Sequence, residues 1–499
     1  MTVKVLKFGG TSLADAGQFR KVREIVYKEP GRRFVVASAP GKRFPEDVKV
    51  TDLLYKAMRK AVSGGNYQTR LDEIRDRFQA IIDELEISMD ISPDIEIIKE
   101  HLATNPDSSY MGSRGEYLNS KILAEYLGFE FVDPAECVLF DNDGKFLAAE
   151  TRELLSRRLE GVECAVVAGF YGSRKDGRLQ TFSRGGSDIT GSIVAEAVEA
   201  DIYENWTDVS GLLAADPRII DNPKGVEYMT YRELRALSYM GASVLHRDAV
   251  YPAAKAGIPI NIRNTNRPDD KGTMIVPEMP EWVTADQISG VAGFKGVTII
   301  HIEKMRVSDE AGFTAVILDV FKDRGIPFEQ CQTGIDTVTV AVRSEFVEGT
   351  VLNEILYDIE KQLDPDDIFV RSNMALIAVV GENNADSCNA TSELLNAVND
   401  AGIEICTINQ GAGNLNMLIN VNEDDYEKTL IALYDVIEGQ VRKKKVRPIG
   451  QEALKNGIST GLIPFRSLFY LFAIRLFLAS AAAVKRTSTE ELSAVSHES

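Results

Sequence analysis

Two short stretches each set one cation beside paired glycines. "KFGGTS" places Lys7 just ahead of Gly9 and Gly10, with Ser12 following, and "SRGGSD" places Arg184 ahead of Gly185 and Gly186, with Ser187 and Asp188 after them. Glycines let backbone N–H groups approach a ligand, and a helix N-terminus favours negative charge. The lysine adds a full charge, and the arginine a fork that fits carboxylate or phosphate. Such turns suit the holding and transfer of an anionic group. Taken singly, each could also be a tight turn with a solvated cation and a helix cap at Asp188; two in one domain favour the anion. A third stretch, "ENWTDVSGLLAADPRII", offers Thr207, Asp208, Asp216 and Arg218 in a polar loop after a strand. That set suits ribose hydroxyls or a metal–phosphate shell.

Other motifs fail on inspection. "HRD" at 246–248 lacks the following asparagine and DFG triplet of a protein-kinase loop, "GKR" at 41–43 is no Walker A loop, and the first turn is not GxGxxG. The four histidines have no zinc spacing, and no metal site is expected of the protein itself. The five cysteines are scattered and form no CxxC pair, which with the absence of a leader-like apolar N-terminus points to a reducing, cytoplasmic setting.

The elements that carry these turns alternate in type. Val3, Val5 and Phe8 alternate with lysines as in a strand, and Val22, Ile25 and Val26 follow at helical spacing. "RFVVAS" (33–38), "CAVVAG" (164–169), "DIYENW" (201–206) and "IPINIR" (258–263) read as further strands, and "SRGEYLNSKILAEYLG" as a helix that Gly128 ends. Apolar strands alternating with amphipathic helices imply an α/β domain over 1–276, its mostly parallel sheet sandwiched by helices. Ligands of such sheets lie at the carboxyl ends of the strands. A proline-rich linker (277–288) leads to two small α+β modules of ferredoxin-like type, 289–370 and 371–450, an internal duplication.

The chain has 499 residues and a net charge of −19, which argues against nucleic acid as a partner. In the extension over 451–499, the apolar stretch 462–484 is crossed by Arg466 and Arg475. Its charge-free run falls short of the ~20 residues that span a bilayer, so no membrane is expected.

"KFGGTS", "VTDLL", "SRGEYLNS", "GFYGSRKDGRLQTFSRGGSD" and "TDVSGLLAADPR", in that order, resemble the aspartate kinases of the amino acid kinase family. The two small modules resemble that family's paired ACT domains. The resemblance implies transfer of the γ-phosphoryl group of ATP, carried with Mg2+, to the side-chain carboxylate of L-aspartate. Lys7 would then neutralise charge on the transferring group, and Asp188 would orient Lys7 and the metal–phosphate array. Arg184 would clamp the α-carboxylate of aspartate and Glu116 its ammonium, with Thr51, Gly185, Gly186 and Ser187 completing the pocket. Gly9, Gly10, Ser12, Thr207, Asp208, Asp216 and Arg218 would hold the nucleotide. An ionised carboxylate needs no general base, so the absence of a Ser–His or Cys–His pair is in keeping.

Ser183, Leu213 and Ser243 stand where the family often has glycine, tyrosine and lysine. Alternatives are another small-acid kinase of the same fold, or an ACT-based amino-acid sensor whose kinase half has decayed. No fused homoserine dehydrogenase is expected. The resemblance also implies a homodimer or homotetramer through the ACT modules and an amino-acid effector, lysine with or without threonine. In "DEAGF", Gly312 and Phe313 open a helix whose free N–H groups favour a carboxylate. Glu329 occupies the place where lysine-responsive members carry an acid.

Overall fold

Residue types in the first strands explain the architecture. In β1 (Lys4–Phe8), Val5 packs into one apolar core and Leu6 and Phe8 into another, on opposite faces of one sheet. The same division recurs in β2 (Arg32–Ala37), where Phe34 and Val36 face one way and Val35 and Ala37 the other. Strands buried on both sides read as continuous apolar runs, and they require helices on both faces.

The computed structural model describes residues 2–445 apart from 184, 242–244, 246, 281, 284–287, 382–387 and 411–415. Three of the residues singled out above, Arg184, Ser243 and His246, lie outside the described residues, as does the 451–499 extension. Among the described residues no helix is long and apolar enough to cross a membrane.

The main sheet adds β3 (Glu130–Val132), β5 (Ala165–Ala168), β8 (Ile202–Thr207), β9 (Tyr228–Thr230), β10 (Ile260–Asn264) and β11 (Thr273–Val276). Its order is β3-β5-β2-β1-β8-β10-β11-β9, and only the β10–β11 pairing is antiparallel. One face carries α1 (Ala16–Tyr27), α2 (Val50–Val62), α3 (Gln68–Glu84), α4 (Ser92–Thr104) and α5 (Ser108–Leu127). The other carries α6 (Ala148–Leu159), α7 (Gly186–Ala197), α8 (Tyr231–Tyr239) and α9 (Arg247–Lys255). A small sheet of β4 (Leu139–Phe140), β6 (Tyr171–Arg174) and β7 (Leu179–Thr181) feeds the chain into α7. Because β1 leaves toward β2 on one side and meets β8 on the other, a crevice opens at its carboxyl end, the usual ligand position in open α/β sheets.

The rest builds one six-stranded sheet, ordered β13-β14-β12-β15-β17-β16. Its strands are β12 (Gly290–Glu303), β13 (Gln330–Thr333), β14 (Thr337–Arg343), β15 (Asp367–Val380), β16 (Ile405–Gln410) and β17 (Asn416–Asn422), with helices α10 (Phe313–Asp323), α11 (Val351–Leu363), α12 (Cys388–Asp400) and α13 (Tyr426–Lys445). The two 14-residue strands β12 and β15 run antiparallel along their full length. Gly296 and Asn373, both at positive φ, mark an irregularity midway.

Beyond that point the two modules separate. Val297–Glu303 pairs with β14 and with the first half of β15, whereas Gly290–Lys295 pairs only with the second half of β15, beside β17. The second module therefore borrows a strand that precedes the whole first module. The boundary expected at residues 370 and 371 falls inside β15. The reason is local: Asp367–Asn373 is largely exposed and polar, and Gly290–Lys295 is glycine-rich, so neither half-strand has a clear apolar alternation.

Candidate active site

Lys7 lies at the carboxyl end of β1, 7% exposed, and its Nζ stands 2.5 Å from Asp188 Oδ1. Asp188 sits in the first turn of α7, whose N-cap Gly185 adopts φ +60°. Asn205 on β8 donates from Nδ2 to the same Asp188 oxygen at 2.8 Å, and the Tyr203 hydroxyl donates to the Asp188 carbonyl at 3.2 Å. Two successive inward positions of β8 thus fix the acid that holds the lysine. Asn205 is a site residue that the motifs did not reveal. Its one signal is its place two residues after Tyr203, on the same face of the strand. Hydrogen bonds to charged groups contribute about 1.5–3 kcal/mol, so Asn205→Ala is expected to lower kcat roughly tenfold, measured as initial rate at saturating substrates.

The glycines of both turns make close approaches. A Cβ on Gly10 would stand 2.8 Å from the Ala39 carbonyl oxygen, and one on Gly186 would stand 2.5 Å from the Phe170 ring. Gly9 donates its N–H to the Trp206 carbonyl at 3.0 Å, joining the first turn to the end of β8. The Ser12 hydroxyl is buried and pairs with Thr265 Oγ1 at 2.7 Å, so it ties the turn to the loop after β10.

Glu116 lies in α5, where every residue of Met111–Glu116 is buried. Only 6% of the residue is exposed, and its Oε2 has no hydrogen-bond partner. Burial raises its pKa to about 8, against the pull of the backbone N–H groups of Ala39 and Glu116 and the charge of Arg114. Arg114 itself stacks among Tyr110, Tyr117 and Tyr171. Thr51, in the first turn of α2, has its Oγ1 3.7 Å from where a Cβ on Gly115 would stand, and the Ala39 methyl is 2.8 Å from that position. Ala39 consequently borders both the phosphate-type turn at Gly10 and the Gly115–Glu116 segment. Gly185, Gly186 and Ser187 open α7 beside Asp188, with Ser187 packed on Gly169.

The third stretch forms a separate wall. Asp208, Leu213, Asp216 and Arg218 line a cavity of about 670 Å³, together with Asn264 and Arg267. Arg218 Nη2 is 2.6 Å from Asp216 Oδ2, and its hydrogen bonds hold the Asp216 carboxyl below the usual range. Thr207 ends β8 and donates from its hydroxyl to Asp208 at 3.2 Å, but it does not line the cavity. The opposite wall comes from the second module, through Val291, Gly293, Tyr426 and Leu430. The Tyr426 hydroxyl donates to the Gly293 carbonyl at 2.7 Å.

Gly312, Phe313 and Glu329 lie in the first module, and the three make unequal offers. Gly312 caps α10 at φ +91° with open space around it, whereas the Phe313 ring is core. The Glu329 carboxylate accepts from Arg343 Nε at 2.7 Å through Oε1, and its buried Oε2 has no partner.

A mostly parallel sheet with a lysine–aspartate pair between two glycine turns at its switch point defines an α/β phosphotransferase, and comparison with known proteins agrees. Residues 2–264 match the amino acid kinase family and residues 377–437 an ACT domain. The chain belongs to the amino acid kinase family. It is 36% identical over 449 residues to aspartokinase 3 of Bacillus subtilis, covering 87% of this chain and 98% of that one. It is 27% identical over 461 residues to the lysine-sensitive aspartokinase 3 of Escherichia coli, covering 87% and 98%. The crystal structure of aspartate kinase from Clostridium acetobutylicum superposes with a TM-score of 0.78 at 40% identity, covering 88% of this chain and 100% of that chain.

Proposed function

We propose that this chain phosphorylates the side-chain carboxylate of L-aspartate with ATP, the first step toward lysine, threonine and methionine, under feedback control through its ACT modules. The observation that carries the reading is the Lys7–Asp188 pair at the switch point, set off by Ala39 from the buried carboxyl of Glu116, whose Oε2 has no hydrogen-bond partner. The pair serves an anion in transfer, and Glu116 serves a cation such as an amino acid's ammonium.

In this reading the aspartate carboxylate attacks the γ-phosphorus, a new O–P bond forms, and the bond to the bridging oxygen breaks to release ADP. Lys7 and the α7 N-terminus stabilise the charge on the transferring group. Asp188 orients Lys7. Thr51, Arg184 and Glu116 hold aspartate, while Asp208, Asp216 and Arg218 hold the nucleotide. A divalent cation would be carried on the nucleotide's phosphates, with Asp188 near it to balance charge. The unpaired cysteines Cys137, Cys164, Cys331 and Cys406 support a cytoplasmic setting.

The test is turnover of ATP with L-aspartate in the presence of hydroxylamine, which traps an acyl phosphate as its hydroxamate. Aspartyl hydroxamate in step with ADP is the expected result. ADP formed only with a different acid, or amino-acid binding without turnover, overturns it.

Regulation belongs to the same proposal. A lysine effector would set its carboxylate at the Gly312 turn and its ammonium near Glu329, whose buried second oxygen has no partner. Edge strand β13, flanked by exposed Phe328 and Ile335, offers a surface for pairing subunits into a dimer or tetramer. Glu329→Ala is expected to raise the lysine concentration for half-inhibition by roughly tenfold, the loss of one charged hydrogen bond, without lowering the uninhibited rate. Unchanged inhibition curves for lysine and for threonine would place the effector elsewhere.

A further inference from the structure

Arg77 belongs to α3, away from every motif above, yet its side chain is only 5% exposed. Its guanidinium reaches three separate backbone segments. Nη2 donates to the Gly41 carbonyl and, at 3.5 Å, to the Ala14 carbonyl. Nη1 donates to the Val48 carbonyl at 2.8 Å and stands 3.4 Å from Asp47 Oδ2. Asp47 is in turn held by Arg43, at 2.8 Å.

Each of those segments borders the candidate active site. Ala14 follows the turn of Gly10–Leu13. Gly41 donates its N–H to the Gly10 carbonyl at 2.7 Å, so closely that a Cβ on Gly41 would stand 2.6 Å from the Gly10 carbonyl carbon. Val48 leads into α2, which carries Thr51 in its first turn. One planar fork therefore joins the glycine turn, the Ala39–Gly41 loop beside it and the entry to the helix of the aspartate pocket. Lysine has no such fork, since its ammonium is a point donor on a flexible stem.

We infer that Arg77 is a positioning residue that sets the spacing between the phosphoryl-side turn and the carboxylate-side pocket. The inference rests on the aspartate kinase reading of those two half-sites. In-line transfer is sensitive to such spacing, and a misplacement of about 1 Å can cost about 10²-fold in rate. Each half-site keeps its own residues when the fork is lost, so binding of either substrate alone should change little.

The experiment uses the full chain and steady-state kinetics for the parent, Arg77→Lys and Gly41→Ala, with melting temperatures alongside. Lysine keeps the charge and most of the packing, while alanine at 41 pushes on the same contact with Arg77 intact. Both variants are expected to lose kcat by tenfold or more, with KM values for ATP and aspartate within about threefold of the parent, and Arg77→Lys should keep most of the parent's thermal stability. Parent kcat in Arg77→Lys, whatever its melting temperature, overturns the inference, as does a raised KM with kcat intact. If Arg77→Lys does not fold, a parent-like kcat in Gly41→Ala overturns it just the same. A parent that forms no aspartyl phosphate overturns the functional reading instead.

Discussion

Lys7→Ala and Asp188→Ala each lower kcat for phosphoryl transfer by roughly 10²–10³-fold, the usual cost of removing one preorganised charge from a transition state. The two losses should not add. Lys7 Nζ stands 2.5 Å from Asp188 Oδ1, and Asn205 steadies the same oxygen, so the three act as one device. The double variant is expected to match the worse single one, with the fold intact by circular dichroism. Normal turnover in either single variant removes the mechanism.

The second large effect concerns Glu116 and has a definite pH signature. Its pKa of about 8 leaves the carboxyl mostly protonated at neutral pH in the empty site, and aspartate's ammonium must draw the ionised form. Aspartate kcat/KM should accordingly climb by up to tenfold per pH unit below about pH 8 and level off above it. In Glu116→Gln that limb disappears, and KM for aspartate rises far more than KM for ATP. Thermal stability carries the opposite sign. The native pKa lies above the reference value of 4.5, so the native state holds a proton that the unfolded chain releases. Glu116's contribution to stability is complete below pH 4.5 and is lost as pH rises to about 8. Glu116→Gln should therefore melt progressively higher than the parent as pH is raised across that interval. A parent-like melting profile together with an unchanged KM for aspartate rules out the assignment.

How far the residues alone disclosed the site depends on the range over which each interaction acts. The glycine turns were legible because turn chemistry and helix starts are local. Lys7 and Gly10 take the places that their strand–turn pattern implies, whereas α7 starts earlier than its sequence suggests: Gly185, not Asp188, is the N-cap, because a glycine at positive φ turns the chain into the helix and leaves Asp188 in the first turn. Strands β2 and β5 were legible because a strand buried on both faces has a continuous apolar signature. Glu116 was visible only through a family motif, since nothing in a helical carboxylate says that its helix will be enclosed. Arg77 had no signal at all: its partners are backbone carbonyls, which every sequence has. The half-strand Gly290–Lys295 was missed for a similar reason, because its pairing to Ala375–Val380 depends on residues far along the chain.

That borrowed half-strand also bears on how the molecule is made. During synthesis Gly290–Lys295 leaves the ribosome before the strand it pairs with, and the entire first module must follow before Ala375 can reach it. Closing so long a loop costs little more free energy than closing a shorter one, but it is slow. Until then the nascent chain carries an unpaired strand edge, the kind of surface that invites wrong partners. Val291 and Gly293 on that edge also line the cavity assigned to the nucleotide, so its wall is completed only when the second module, with Tyr426 and Leu430, has folded back. A chain released early, even with every residue of the kinase half present, would be left with that cavity open on one side.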